Sequence, residues 1–483
     1  MIEPNWVAYT ALVGWGIATL LAFAWLRPSA ALLFAVVGAE LLLPVGAMFQ
    51  ISGFPNLDRG RIAILAALAG TALFHGSRLR FEWPGWTAAV LLAPIAGALL
   101  TVRANSDPLS FGPTTVLPAL TIHDAVSYGA AATLDRSLPF VLALASFRTR
   151  RDLELLLRVL VATGIAYSTL ALFEARFSPH LHFWVYGYLQ HSWFQIMRGE
   201  GWRPIVFTPH GLQLAMFFMS TLLAAATLTR ARVRLPWGLP GMAVTAYLLL
   251  VLVVCKSWAP ALFGVVGLAL VAFGTDRARI AASILLLALV FLYPALRAAD
   301  LFPADALVSS AESLSANRAE SLAFRFENED HLLAHARERL WTGWGTFGRN
   351  RVFDRESGVD TSVTDGLWII ELGAFGVPGL VSIFALMGAP ILVTALRLER
   401  VRSRSSRILL SGLAVMVALR AVDQLPNASL TPLPFLTFGA LTALAARIPR
   451  GERARARVGR RQESGEPEGP APAVTARVGE ALR

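Results

Sequence analysis

Three stretches of this chain carry residue types that could do chemistry. The first is Arg198-Gly-Glu-Gly-Trp202-Arg203-Pro-Ile-Val-Phe-Thr-Pro-His210-Gly, which ends where a long apolar run begins. A guanidinium is a planar fork that can hold a phosphate or diphosphate through two parallel hydrogen bonds. An imidazole beside it can hold or move a proton near neutrality. The second stretch, Asn317 to His331, places Arg318 and Arg325 seven residues apart, so a helix would put both on one face. Its plainer role is that of a solvated amphipathic helix. The third runs from Thr361 to Glu371 and sets Asp365 at the mouth of a long apolar segment. A carboxylate there can cap the helix or serve as a general base. Lys256, the only lysine, lies between two apolar runs beside Ser257 and Trp258. It can contact phosphate or snorkel to a membrane interface.

Weaker patterns point to no metal and no cofactor. His180 with His182, and His331 with His335, have spacings that ligands can share, but the second pair lacks the glutamate of a zinc-protease motif. Gly343-Trp-Gly345-Thr-Phe-Gly348 matches the dinucleotide fingerprint by letter only, because no strand–helix–strand unit surrounds it. No Walker motif occurs. The single cysteine, Cys255, excludes an intramolecular disulfide.

The elements that must position these groups are apolar and long. Of the 483 residues, 55% are hydrophobic and 16% are charged, with a mean hydropathy of +0.57; a soluble chain carries about 25% charge. Apolar runs recur at Trp6–Leu26, Ala30–Phe49, Ile62–Phe74, Trp86–Val102, Leu153–Phe173, Leu212–Leu228, Leu239–Cys255, Ala259–Phe273, Ile280–Leu296, Gly376–Leu396, Ile408–Leu419 and Leu433–Ala446. Ile122–Phe147 is a further run interrupted by Asp135, Arg136 and Pro139. The expected fold is an all-α polytopic membrane protein with about 12–13 transmembrane helices and a large outer loop containing short helices. The first run lacks a basic leader and a cleavage site and is expected to be retained.

The net charge of +11 falls largely in short loops, which argues for membrane topology rather than nucleic-acid binding. Arginines cluster at 148–151, 230–234, 397–407 and 447–461, and more weakly at 78–80 and 277–279. With all of these inside, the N-terminus is outside and the segments 103–121, 174–210 and 297–364 are outer. The expected organisation is N-terminal helices over 1–150, a core over 151–449 carrying outer loops 174–210 and 297–364, and a disordered basic tail over 450–483. The loop 174–210 holds nine aromatic residues, among them Tyr186, Tyr188 and Trp202. Such residues either anchor a membrane interface or pack against sugar rings. A helix is expected over about 321–339, followed by a glycine-rich turn. Asp135, Arg136 and Glu40 lie within apolar stretches, where charges mark ion or substrate pathways.

At these motifs the chain resembles the superfamily of bacterial O-antigen ligases and O-antigen polymerases. Arg203-Pro-Ile-Val-Phe-Thr-Pro-His210-Gly is similar to the family's arginine followed by a histidine turn that opens a helix. Arg325, leading to Gly343-Trp-Gly345, is similar to the arginine of the large periplasmic loop. Gly376-Val-Pro-Gly379 fits the end of the family's Glu-x-Gly-x-x-Gly helix. The chain departs from the pattern where Asp365-Gly366 stands for a His-Asn pair and Ala374 for the glutamate. Tyr186, Tyr188, Arg203-Pro204 and Asp365-Gly366-Leu-Trp368 look closer to a divergent exopolysaccharide polymerase-like branch. The resemblance covers roughly residues 150–400.

The resemblance implies a metal-independent, inverting glycosyltransferase of the bacterial inner membrane with its site facing the periplasm. The donor would be a glycan on polyprenyl diphosphate. The acceptor would be a glycan, a lipid or a protein, with membrane lipid and polysaccharide assembly proteins as further partners. Arg203 and Arg325 would stabilise the leaving diphosphate, supported by Arg198, Lys256 and Arg318. Asp365 would be the base, with His210 as second choice. Tyr186, Tyr188, Trp202 and Trp368 would contact the glycan. Two competing classes are a small-anion transporter, which calls for internal repeats and broken helices, and a non-catalytic subunit of a polysaccharide export complex.

Overall fold

Each apolar run seeds a helix, because a backbone surrounded by hydrocarbon must satisfy its own hydrogen bonds. The structure is a computed structural model that describes residues 3–51, 53–79, 85–198, 201–313 and 315–464. It is about 72% helical. In chain order the helices begin with α1 (Trp6–Trp25), α2 (Pro28–Leu42), α3 (Arg59–His75) and α4 (Gly85–Arg103). A two-stranded ribbon follows, β1 (Leu109–Phe111) with β2 (Thr115–Leu117). Next come α5 (Ile122–Ala132), a π-turn at Thr133–Ser137 and α6 (Leu138–Ser146), which form one continuous passage. After α7 (Arg150–Phe177) lie the short α8 (Leu181–Tyr186) and α9 (Trp193–Ile196), and a ribbon of β3 (Met197–Arg198) and β4 (Gly201–Trp202). The chain continues with α10 (Gly211–Arg230), α11 (Gly241–Val254), α12 (Trp258–Phe273) and α13 (Asp276–Ala298). The short α14 (Ala304–Glu312) precedes α15 (Ala316–Glu338), α16 (Leu367–Leu398), α17 (Arg404–Asp423) and α18 (Pro432–Ser464). Among the described residues, six helices are long and apolar enough to cross a membrane, and four shorter apolar helices accompany them.

The bundle centres on α10 and α17, which are buried along most of their length. Small residues let their neighbours close in. A Cβ added at Gly164 of α7 would meet the Thr221 side chain at 2.7 Å, and one at Gly412 of α17 would meet the Thr227 hydroxyl at 2.4 Å. Such small-residue contacts are how helices pack where lipid offers no hydrophobic drive. Around this centre α6, α16 and α18 pack together, as do α1 with α3 and α13 with α17.

Hydrogen bonds sort the loops into two ends. At the arginine-rich end, Arg150 donates to Ser403 and Ser405, Arg407 pairs with Asp276 at 3.1 Å, and Arg447 donates to the Phe147 carbonyl. At the loop-rich end, Asn5 donates to the Tyr186 carbonyl, Arg59 to the Phe207 carbonyl and Leu367 to the Gln424 carbonyl. The segment 103–121 is tied to 297–364 through Arg339 and Arg349, and the start of α16 is tied to the 424–427 turn.

Three expected boundaries shift. Helix α2 stops at Leu42 before Pro44, and the remainder of that apolar run forms a loop whose Phe49 pairs with Leu57. The segment from Gly451 to Ser464, expected to be disordered, continues α18 as helix, while 465–483 lie outside the described residues. The apolar helix seen from Gly376 onward begins at Leu367 and is broken at Gly376, with φ 65° and ψ −164°. Only glycine adopts that conformation readily.

The break in α16 explains the glycine-rich turn. Trp344 donates to the Gly373 carbonyl at 2.8 Å, Gly345 to the Ala374 carbonyl at 2.9 Å, and Val377 to the Leu340 carbonyl at 2.8 Å. The turn thus takes up backbone groups that the break frees. Gly343 sits so close that a Cβ would lie 2.4 Å from the Ala374 backbone. Arg349, 1% exposed, closes the clasp by donating to Trp344, Pro118 and Asp107 carbonyls and to Asn105.

Candidate anion site at the loop-rich end

Arg203 is held by the β3–β4 ribbon and the start of α10. Its guanidinium donates to the Ser257 hydroxyl at 2.7 Å, while its Nε has no hydrogen-bond partner. It is 6% exposed and has no carboxylate within ion-pair distance among the described residues. Burial, reinforced by Arg198, pushes it down to about 10. Buried charges are ordinarily paired, so an unpaired one beside other cations marks a place for an anion.

The groups around it come from three segments. The ring of His210 caps α10, its Nδ1 accepting from the Leu212 N–H at 2.9 Å. The His191 ring lies 4.6 Å from it. Burial and Arg203 lower both imidazoles, His210 to about 4. Lys256, exposed, donates to the Arg198 carbonyl at 3.3 Å, close enough that a Cβ on Gly201 would meet its Nζ at 2.4 Å. The N-terminus of α10 adds its own partial positive charge, as at other phosphate-binding helix starts. A Cβ on Gly211 would touch Arg203 Nε at 2.7 Å, so this glycine keeps the guanidinium against the helix start. Arg198, Arg203, His210 and Lys256, expected from sequence, therefore meet.

Two of these roles change. With Nδ1 accepting a backbone N–H, the neutral His210 carries its proton on Nε2. It is a donor toward an anion, not the second-choice base. The sequence also passed over His191, whose only signal was its place in the same outer loop.

Arg325 and Asp365 form a separate pair, 3.8 Å apart and each about half exposed. Asp365 does not cap α16: Gly366 takes that position, and the first N–H of the helix goes to the Gln424 and Asn427 carbonyls. The carboxylate is thereby left for Arg325. The pair lines a cavity of about 160 Å³ together with Glu329, Asn328 and Tyr293. Glu329 accepts from the Tyr293 hydroxyl at 2.6 Å, Trp368 Nε1 and Arg297, and burial raises it above the usual carboxylate range. Its sequence signal was its place four residues after Arg325, on the same helix face. Among the described contacts none joins this pair to Arg203; the 424–431 turn stands between them. Arg318 is on the backbone of α15, and its side chain lies outside the described residues.

Three residues expected to touch glycan serve the fold instead. Tyr186 is 4% exposed and gives its hydroxyl to the Leu42 carbonyl. Tyr188 gives its hydroxyl to the Val45 carbonyl. Both rings pack on His182, whose Nε2 accepts from Val45 N. Trp368 is fully buried, edge-on to Tyr293. Trp202 remains half-buried at the ribbon, 5.2 Å from the Trp193 ring. The histidine pairs 180/182 and 331/335 build no metal cluster among the described residues.

No protein-family model matches the chain, and no curated protein matches it.

Proposed function

We propose that the protein is an inverting membrane glycosyltransferase that moves a glycan from polyprenyl diphosphate to an acceptor hydroxyl at the outer membrane face. The observation that carries this reading is Arg203: a buried guanidinium with no carboxylate within ion-pair distance among the described residues, against a helix N-terminus and beside Arg198, His191, His210 and Lys256. A membrane-embedded cation cluster of this kind suits a lipid-linked diphosphate, whose charge grows as it leaves. Preplaced donors stabilise that growing charge without reorganising.

In this reading the chain makes about thirteen crossings, with the arginine-rich end inside and the loop-rich end in the periplasm. The apolar helix faces hold the polyprenyl chain. The acceptor oxygen attacks the anomeric carbon, the bond from that carbon to the diphosphate oxygen breaks, and Asp365 takes the acceptor proton. Arg325 orients Asp365, and no metal enters the step. The acceptor is a glycan, a lipid or a protein surface.

The test is glycan analysis in cells lacking the gene, complemented with wild type, Arg203→Ala, Arg325→Ala or Asp365→Asn at matched expression. The expected result is single-repeat or unattached lipid-linked glycan in the deletion and in all three variants. Unchanged surface glycans throughout would overturn the reading. A transporter is the second reading, favoured by the break in α16 at Gly376 and the charged residues between helices. Anion uptake that is lost with Arg203→Ala, without any change in glycans, would select it.

A further inference from the structure

A cavity of about 270 Å³ with carboxylates in its wall lies against Pro209, in the turn that carries Arg203 and His210. Glu40 in the last turn of α2, Asp58 and Arg59 at the start of α3, Asp135 in the π-turn, Pro209 and Thr431 stand in its wall. It opens at the loop-rich end, beside the turn that carries His210. Arg59 is committed elsewhere, to the carbonyls of Glu40, Leu43 and Phe207. Asp135 takes a two-pronged ion pair from Arg61 at 2.8–2.9 Å. Glu40 accepts one hydrogen bond, from the Thr431 hydroxyl at 2.8 Å, and so keeps acceptor capacity toward the cavity.

A second observation comes from the recess behind Glu40. Glu40 also lines a narrow space of about 30 Å³ with Arg420 of α17. Arg420 is 7% exposed, and its Nη1 has no hydrogen-bond partner. Among the described residues it makes no ion pair within 4.0 Å, although Asp423 and Glu40 are close enough to act on its charge. The recess has room for one hydroxyl or one water.

Together these groups select a ligand class. Asp58 already caps α3 and Asp135 is paired with Arg61, so Glu40 is the carboxylate that calls for a hydrogen-bond donor, while the unspent Arg420 donor in the recess behind it calls for an acceptor. An ammonium cannot accept and a phosphate would be repelled by Glu40. A metal ion needs ligands converging on one point, and the described residues offer no such cluster. A sugar hydroxyl both donates and accepts.

We infer that this cavity binds a polyhydroxylated sugar ring, with Glu40 accepting from one hydroxyl and Arg420 donating to its oxygen. The sugar rests on the cavity alone; on the transferase reading, which keeps the reacting acceptor hydroxyl at Asp365, the cavity is a glycan subsite beside the turn that carries Arg203 and His210. A second cavity of about 250 Å³ shares Asp135 and adds Tyr128 and Phe375, room for a further sugar.

The experiment uses the full-length purified protein in nanodiscs. Saturation-transfer NMR with glucose, galactose, mannose, N-acetylglucosamine and rhamnose reads the sugar arm, and calorimetry with inorganic diphosphate reads the anion arm. Wild type is compared with Glu40→Gln, which can still accept from Thr431, and with Val45→Trp, which plugs the mouth from a half-exposed position. Thermal unfolding of each variant checks the fold. The expected result is that at least one sugar binds wild type, that its affinity falls about tenfold in each variant, and that diphosphate binding is unchanged. If no sugar binds, or binding is unaltered in both variants, the inference is overturned while a retained diphosphate response leaves the transferase reading intact. Sugar binding that is lost in both variants without any diphosphate binding supports the sugar site and removes the transferase reading.

Discussion

Arg203 and Arg349 are both arginines buried at the loop-rich end, yet their surroundings are opposite. Arg349 spends its donors on three carbonyls and the Asn105 side chain, and ties the β1–β2 segment to the clasp on α16. Arg203 has one hydroxyl partner, an orphan Nε and, among the described residues, no carboxylate within ion-pair distance, with Arg198 beside it. Burial alone therefore does not distinguish a staple from a binding group. What distinguishes them is whether the protein supplies the acceptors. Where it does, the arginine's work is finished on folding; where it does not, something else must complete the set.

The sharpest way to break this comparison is to remove each arginine in turn. Arg349→Met leaves several buried acceptors unpaired, at about 1–3 kcal/mol each, and should strip folded protein from detergent extracts. Normal thermal unfolding of that variant would contradict the staple. Arg203→Met removes an uncompensated buried charge, which is often neutral for stability. Its unfolding midpoint should match wild type, while transfer of glycan falls about 10²–10³-fold. A collapse in stability with Arg203→Met would mean that the two arginines are alike.

Asp365→Asn comes next in size. The pair with Arg325 is half exposed, so its loss should change stability by less than about 1 kcal/mol. Loss of a general base should slow transfer by about 10²-fold or more, read from glycan chain length or attachment at matched expression. Retained transfer would move the base elsewhere, and Glu329 in the same cavity would be the first residue to replace.

The smallest effect is a pH dependence. Burial and Arg203 hold His210 at about 4 in the fold, against about 6.5 for a free imidazole. Between these values the unfolded chain binds the extra proton, so stability should fall as pH drops from about 6.5 toward 4. A bound anion favours the protonated ring, so diphosphate affinity should rise over the same fall in pH. His210→Asn can still cap α10 and should flatten both slopes, by thermal unfolding and by calorimetry. An unchanged slope would assign the effect to His191 instead.

The helices were legible because apolar burial leaves its mark in each long apolar run. The Arg203–His210 turn was legible for a related reason: cations had collected at the end of the molecule where topology gives no reason for them. Tyr186, Tyr188 and Trp368 misled, because an aromatic in an outer loop has the same letter whether it faces a ligand or roofs a core. Asp365 was read with two roles open, cap or base. Its place before a helix resembles a cap, and only the 424–427 turn, some sixty residues later, shows that the helix start is already satisfied.

The sequence by itself therefore determined what is local and additive: the apolar helices and the residue types gathered in each loop. Only the tertiary structure decided which groups are spent. It assigned Gly343 and Gly376 to a clasp on a broken helix, set Arg325 against Asp365 rather than beside Arg203, and left Arg203 and Arg420 with donors unused. The physical reason is that hydrogen-bond satisfaction depends on partners from distant segments, so a residue's availability for chemistry is a property of the packed chain and not of its neighbours in sequence.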